Sequence, residues 1–541
     1  MKKTLSLCSA LLALGIAGSA QGAVRDMYLA ATDGWVAMPD DGAGAGAPLW
    51  VWIRGFVADT APGACAKSGT PATGNAGNFQ PNTFPNLAKC NAAAVARLQG
   101  QATLPAPIID VNVGDDVFVT LSNIGNKAGG TGNSAVAGDP HTIHLHGLKS
   151  AAQNDGFNES AWAVPIGYAA TYYFKAERPG TFMYHCHVEA SEHVQMGMYG
   201  ALIIRPTQWN QNVQGNYPSI YTAQKNSVYG GANNDVFDDG PNGKPQEYIM
   251  LLTEIDPVWH EGVLTNFGAN PENDTHNTFN CPALPDGTTQ FELKNNQGGV
   301  SRCIPLNSFN PSDFLPRYWL VNGRAWPDTL LPTYSGVGYP GPGAGPPDGH
   351  LAGSNNLATY ATFINVRLGD RGAAPGTGPR FLVRVVGMGF THNAHHFHGF
   401  LMTQVGEDAE PLPLGQQHPQ QTLNVASGKT YDVIVAPDCL SGYGQDSVAS
   451  HTPGEYMGGG VTTGPVGSSA WENFPGVIVP EPPSSALGFN DGKTLFPGGT
   501  DMSVQIWPVH SHYDYTVTNS GVYPGGAISI IRAVSTNGKC S

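Results

Sequence analysis

Four times in this chain two histidines flank a single residue: His144-Leu145-His146, His185-Cys186-His187, His396-Phe397-His398 and His510-Ser511-His512. The run before the second pair, Pro179-Gly180-Thr181-Phe182-Met183-Tyr184, is aromatic and β-prone. Side chains alternate along a strand, so the two histidines of each pair share one face and the middle residue takes the other. The pairs also repeat in order. Strands, a His-X-His-Gly, more strands, a His-X-His and a closing strand occur once before residue 205 and once after residue 246. A chain written this way is constrained to strands in two similar halves.

The halves differ in the middle residues. In the first, Cys186 lies between the late histidines, and His193 and Met198 follow it; in the second, Ser511 stands there. His141 precedes the first His-X-His, where the second half has Asn393. Thiolate, imidazole and thioether together form the ligand set of a blue copper electron-transfer site. By alternation His141 has the parity to join Cys186, while His144, His146, His185 and His187 face the other way. One tripeptide can therefore serve two metal centres on opposite sides of one backbone. Met196 rivals Met198, which fits the spacing after His193 and the strand that follows better.

The rest of the chain fits a β protein. Ile108–Val113 and Asp116–Leu121 alternate at the strand period around Gly114-Asp115. Phe381–Val386 and Thr430–Val435 read as strands of the second half. Gly 70 and Pro 43 with 12% charged residues imply many loops. Residues 206–245 read as a linker and 440–500 as a surface excursion. The net charge of −15 argues against a nucleic-acid partner. Met1-Lys2-Lys3, an apolar run and small residues to Ala23 read as a signal peptide cleaved after Gly22, which implies export to periplasm or medium. No later apolar run is long enough to span a membrane. Cys8 would leave with the signal. Six other cysteines suggest disulfides, with nearest-neighbour pairing at 65–90, 281–303 and 439–540 among other possible connectivities.

These residues resemble the multicopper oxidases, the laccase-like cupredoxin family, over most of residues 24–535. The likeness rests on the four His-X-His pairs, on Pro179–His187 and on Asn322-Gly323-Arg324-Ala325-Trp326-Pro327-Asp328. It implies an all-β fold of two cupredoxin-like Greek-key β-sandwich domains with long loop insertions, at 23–205 and 246–541. It also implies about four copper ions per chain, one type 1, one type 2 and two type 3. His141, Cys186, His193 and Met198 would hold the type 1 ion. His144, His146, His185, His187, His396, His398, His510 and His512 would hold a trinuclear cluster that reduces dioxygen to water. Glu189 and Asp155 fall where the family places proton-delivering acids. The remaining histidines, at 260, 276, 350, 392, 395, 418 and 451, read as surface or structural. His395 is the exception to watch, because it adjoins a cluster motif.

The arrangement departs from three-domain laccases, which carry the cysteine motif in their last domain. It resembles the two-domain branch, whose members are homotrimers with the cluster between subunits. The Cys-to-His spacing is two residues longer than the common laccase form. Copper nitrite reductases share the two-domain plan but have an acid where His144 stands and fewer cluster histidines. A copper-binding surface protein without turnover is the reading from a different class. The electron donor is expected to be a phenolic or aromatic compound or a reduced metal ion. Acidic pairs such as Glu407-Asp408 could receive a hard cation, although loops in a chain of this charge are commonly acidic.

Overall fold

The computed structural model describes residues 22–39, 49–66, 90–127, 139–205, 247–266, 282–287, 290–293, 302–305, 311–330, 362–368, 381–399, 401–435 and 504–535. The expected signal peptide up to residue 21, the linker at 206–245 and the excursion at 440–500 lie outside them. The described chain is all-β with a few short helices. No helix among the described residues is long and apolar enough to cross a membrane.

Among the described residues, the first half has eight strands: β1 (Val24–Met38), β2 (Leu49–Ala58), β3 (Ile109–Asn112), β4 (Asp116–Asn123), β5 (His144–His146), β6 (Ala169–Lys175), β7 (Gly180–His185) and β8 (Tyr199–Arg205). They form two sheets, ordered β2-β1-β4-β6 and β3-β8-β7-β5. The alternating apolar residues predicted from sequence point inward. Val117, Val119 and Leu121 from one sheet meet Phe182, Leu202 and Ile204 from the other.

The second half repeats the plan with β9 (Glu247–Ile255), the hairpin β10 (Gln290–Leu293) and β11 (Arg302–Pro305), β12 (Tyr318–Val321), β13 (Phe363–Leu368), β14 (Phe381–Gly387), β15 (Asn393–Phe397), β16 (Met402–Glu407), β17 (Glu410–Pro411), β18 (Pro419–Gln420), β19 (Thr422–Val425), β20 (Thr430–Val435), β21 (Val504–Ser511) and β22 (Ile528–Ser535). Its histidine-bearing sheet runs β13-β22-β21-β15-β19, which mirrors β3-β8-β7-β5. The register mirrors it too. His144 pairs with His185 across β5 and β7, and His396 pairs with His510 across β15 and β21. Cys65 and Cys90 are joined as nearest neighbours and Cys303 is disulfide-bonded, while Cys281, Cys439 and Cys540 lie outside the described residues.

The halves share buried side chains. One apolar cluster contains Ile53, Met183 and Tyr199 from the first half with Leu251, Tyr318 and Val386 from the second. The turn between β16 and β17 has Asp408 and Ala409 at φ 52° and 57°, the left-handed pair of a tight hairpin turn. Ala409 is buried in the first sandwich's core against Gly180, where a Cβ would come within 2.7 Å of the Ala409 Cβ. Glycine at 180 therefore permits this close approach. Beside it, the Thr430 hydroxyl donates to the Thr181 carbonyl at 2.8 Å. The Thr181 hydroxyl donates to Asp432 and accepts from Arg384. Arg384 and Asp432 are an ion pair at 3.2 Å with side chains 1% and 2% exposed. Thr181 lies on β7, so this contact fixes the strand that leads to Cys186.

Removing one member of a buried pair leaves the other without its compensating charge. Asp432→Ala should therefore lower stability by about 3 kcal/mol, whereas Arg384→Met with Asp432→Leu should cost clearly less. Urea unfolding midpoints of the two variants check this ordering.

Candidate metal centres

Strand β7 is buried on both faces, and Cys186 follows it directly into the first core. The Cys186 amide donates to the Met198 carbonyl at 3.0 Å, closing the loop that carries His193. Inside the loop Glu189 takes a left-handed conformation at φ 42°, and its carbonyl accepts from the amides of Glu192 and His193. Gly197 has φ 114°, and a Cβ there would meet the Arg54 carbonyl at 3.0 Å. These constraints place His193 Nδ1 3.3 Å from Cys186 Sγ, with His141 Nδ1 at 3.9 Å. His141, Cys186 and His193 are all buried. Met198 is buried in the same cluster as Cys186, while Met196 packs among Trp35, Trp52 and Trp259. The structure thus brings His141, Cys186 and His193 around one point, with Met198 in the same buried cluster.

The electrostatics suit a soft metal ion. Burial pushes the Cys186 thiol up, but the charge of His193 and hydrogen bonds from His193 and Thr142 outweigh it, leaving the thiol below its ordinary value. Burial works against protonating His193, yet Cys186 and Asp139 hold it up to about 9. His141 is pushed well below the usual imidazole range by burial, then by His193 and Arg54. In the metal-free protein the Cys186 and His193 shifts both run toward a thiolate–imidazolium pair.

Behind Cys186, His144, His146 and His185 bring their ligand atoms within 4.8 Å of one another. The His187 ring lies 5.3 Å from that of His144 and 5.7 Å from that of His185. His144 Nδ1–H donates to the Asp155 carbonyl at 2.7 Å, with the Asp155 carboxylate at 3.2 Å. His185 Nδ1–H donates to the Cys186 carbonyl at 2.9 Å. Both bonds fix the tautomer and leave Nε2 as the ligand atom. Burial, followed by the neighbouring His144, His146 and His187, outweighs that carbonyl bond and brings His185 down to about 3, so it is neutral and able to coordinate.

The second half builds a similar group. His398 Nε2 lies 2.8 Å from His510 Nε2, and the His396 ring lies 5.0 Å from that of His512. His510 Nδ1–H donates to the Ser511 carbonyl at 2.8 Å, as His185 does to Cys186. His396 Nδ1–H donates to the Gln421 carbonyl at 2.9 Å. Burial and the neighbouring His510 bring His398 down to about 4. His395 points away from these four, fully buried, with Nδ1 3.2 Å from Asn393 Oδ1. No ring contact or hydrogen bond joins the two four-histidine groups among the described residues.

The two predicted acids separate. Asp155 touches His144, but exposed Glu189 groups with Asp139, Glu192 and His193 on the other side of Cys186. Its backbone carbonyl, rather than its carboxylate, holds the His193 loop. Of the other histidines, His260 is buried with Nδ1 2.6 Å from the Trp52 carbonyl, and His392 and His418 are exposed. His276, His350 and His451 lie outside the described residues.

Three residues that the sequence reading passed over belong to the site. Thr142 donates its amide to Cys186 Sγ at 3.4 Å and accepts the His187 amide on its hydroxyl at 3.0 Å, so it touches both centres. Arg54 and Asp139 meet the far edge of His193. Only Arg54 left a signal, a lone charge inside the apolar run Trp50–Phe56.

The His193 shift gives a test on the metal-free protein. The thiolate's ultraviolet absorption should appear at lower pH in the wild type than in His193→Gln, which removes the largest influence lowering the thiol. An ultraviolet pH titration of both proteins reads this directly.

Residues 88–208 match the family model described as multicopper oxidase. Among curated proteins, the chain is 31% identical over 132 residues to a copper-containing nitrite reductase of Pseudomonas chlororaphis, covering 24% of this chain and 32% of that one. It is 34% identical over 122 residues to an L-ascorbate oxidase of Cucurbita pepo var. melopepo, covering 22% and 19%. The match therefore spans about a third or less of these relatives' length. Among solved structures, a blue copper oxidase from Nitrosomonas europaea aligns over 94% of this chain and 86% of its own at TM-score 0.44 and 18% identity, a level that supports no functional statement.

Proposed function

We propose, from the match of residues 88–208 to the multicopper oxidase family model, that this chain is an oxidase passing single electrons from a donor to dioxygen. A type 1 copper held by His141, Cys186, His193 and Met198 would receive the electrons. A trinuclear cluster held by His144, His146, His185, His187, His396, His398, His510 and His512 would use four of them to form water. The observation that carries this reading is the pair of outward histidines on the two neighbours of a buried, thiolate-prone cysteine. Copper, when bound, supplies the one-electron couple and the centre at which dioxygen is reduced.

The chain's own residues give the rest. The backbone from Cys186 to His185 and His187 is a covalent path between the centres. The Cys186 carbonyl bonded to His185 Nδ1 at 2.9 Å and the Thr142 bridge add shorter routes beside it. Asp155 orients His144 and holds a carboxylate 3.2 Å from its ring, close enough to hold or pass a proton. Glu189 would act on the donor side, through the loop that carries His193. Phenolic or aromatic compounds and reduced metal ions are the donor classes that fit the family. Export by residues 1–22 would supply the oxidising surroundings that the Cys65–Cys90 disulfide suits.

We further propose a homotrimer in which the first half of one chain meets the second half of the next. The division of the cluster histidines, two pairs in each half, supports this reading. Such a head-to-tail contact closes as a ring. The nitrite reductase relatives favour a second reading, in which nitrite replaces dioxygen as acceptor.

Two experiments decide among these. Oxygen uptake by the copper-loaded protein should appear with at least one member of a panel of phenols and reduced metal ions. Nitrite consumption without oxygen uptake would favour the second reading. Cys186→Ser should lose the blue colour and this activity together. For the assembly, a His185→Ala/His187→Ala variant should regain oxygen uptake when coassembled with a His510→Ala/His512→Ala variant, with coassembly verified by two tags. No regain in a verified mixed trimer would contradict the shared cluster.

A further inference from the structure

The His193 ring faces two different environments. Its Nδ1 edge lies toward Cys186, and its Nε2 edge meets Arg54 Nη1 at 3.0 Å and Asp139 Oδ2 at 3.5 Å. Arg54 reaches this place from β2. Its amide donates to the Met196 carbonyl at 3.0 Å, so the strand and the copper loop are tied together there. Its guanidinium lies 5.6 Å from the Trp52 ring centroid. The Nη1 group also meets Asp139 Oδ2 at 2.6 Å and Glu192 Oε1 at 3.0 Å. The three side chains differ in exposure: Arg54 is 0% exposed, Asp139 26% and Glu192 17%.

We propose that Arg54 is a positioning residue that sets the reduction potential of the copper held by Cys186 and His193, with Asp139 opposing it. This rests on the copper reading of that site. A guanidinium carries its charge at every ordinary pH. A buried charge is screened less than an exposed one and acts more strongly on its neighbours. With Nδ1 given to the metal, Nε2 carries the proton and donates to Asp139, the outer bond that fixes a ligating imidazole. The cation beside that bond favours the copper state richer by one electron. The carboxylates favour the other state, but water reaches them and weakens their effect. The guanidinium's own field at the copper pair therefore pulls toward a centre that takes electrons more readily, against the carboxylates. That field selects among donors by their own potentials, before any contact with the donor is considered.

A structural role alone would make Arg54 an anchor for the loop at Met196. The two roles separate in a redox titration of the copper-loaded protein followed by its blue absorption. Arg54→Gln should lower the potential by about 59 mV or more, a tenfold loss of electron affinity for a one-electron couple. Arg54→Lys should stay nearer the wild type. Asp139→Asn should raise the potential, and the double variant should fall between the two single changes. If Arg54→Gln fails to fold, the rise in Asp139→Asn decides the matter. Unchanged potentials in Arg54→Gln and Asp139→Asn, with the blue absorption and copper content intact, would overturn the proposal. A wild type that is colourless when loaded would instead overturn the copper assignment beneath it.

Discussion

A β-strand has two faces, and residues 185–187, at the end of β7 and just beyond it, keep that alternation. Cys186 enters the first sandwich's core while His185 and His187 point the other way, so one buried backbone segment belongs to two candidate centres. The site depends on holding that segment at the right register and depth. The Cys186 amide bonded to the Met198 carbonyl sets the depth, and the His144–His185 register across β5 and β7 sets the opposite face. Because a one-residue slip would exchange the faces, the register cannot drift without losing both centres.

Much of the surrounding structure serves this segment. The second half inserts Ala409 beside Gly180 and bonds Thr181 through Thr430, Asp432 and Arg384. These contacts lie at the start of β7, before His185. On the far side Arg54 ties β2 to the loop at Met196 and faces His193. Buried polar groups of this kind are costly unless paired, and here the pairing also positions ligands. The same residues thus join the halves and shape the metal environment.

The features with a fixed local period were legible in the sequence. Strand alternation sorted His141 with Cys186 and the paired histidines away from it. The His-to-Met spacing favoured Met198 over Met196, and the structure puts Met198 in the cluster of Cys186. The repeat of the motif order anticipated the matching sheet orders of the two halves. What the sequence hid depends on long-range folding. Glu189 follows the copper strand so closely that its side of the backbone is set by a left-handed turn, which no alternation rule describes. Arg54 and Asp139 are far from His193 in sequence and meet it only because β2 passes beneath the loop. Thr142 sits between two recognised ligands, yet its double contact needs the register of β5 against β7.

The central claim is that twelve side chains form one electron-transfer centre and one complete oxygen-reducing cluster per chain. Copper content of the purified, fully loaded protein tests it most directly, measured against protein concentration from amino-acid analysis. The account predicts about four copper ions per chain, with the histidines of both halves occupied. A content of about two per chain, unchanged on further loading, would contradict it and point to a single type 2 ion beside the thiolate centre.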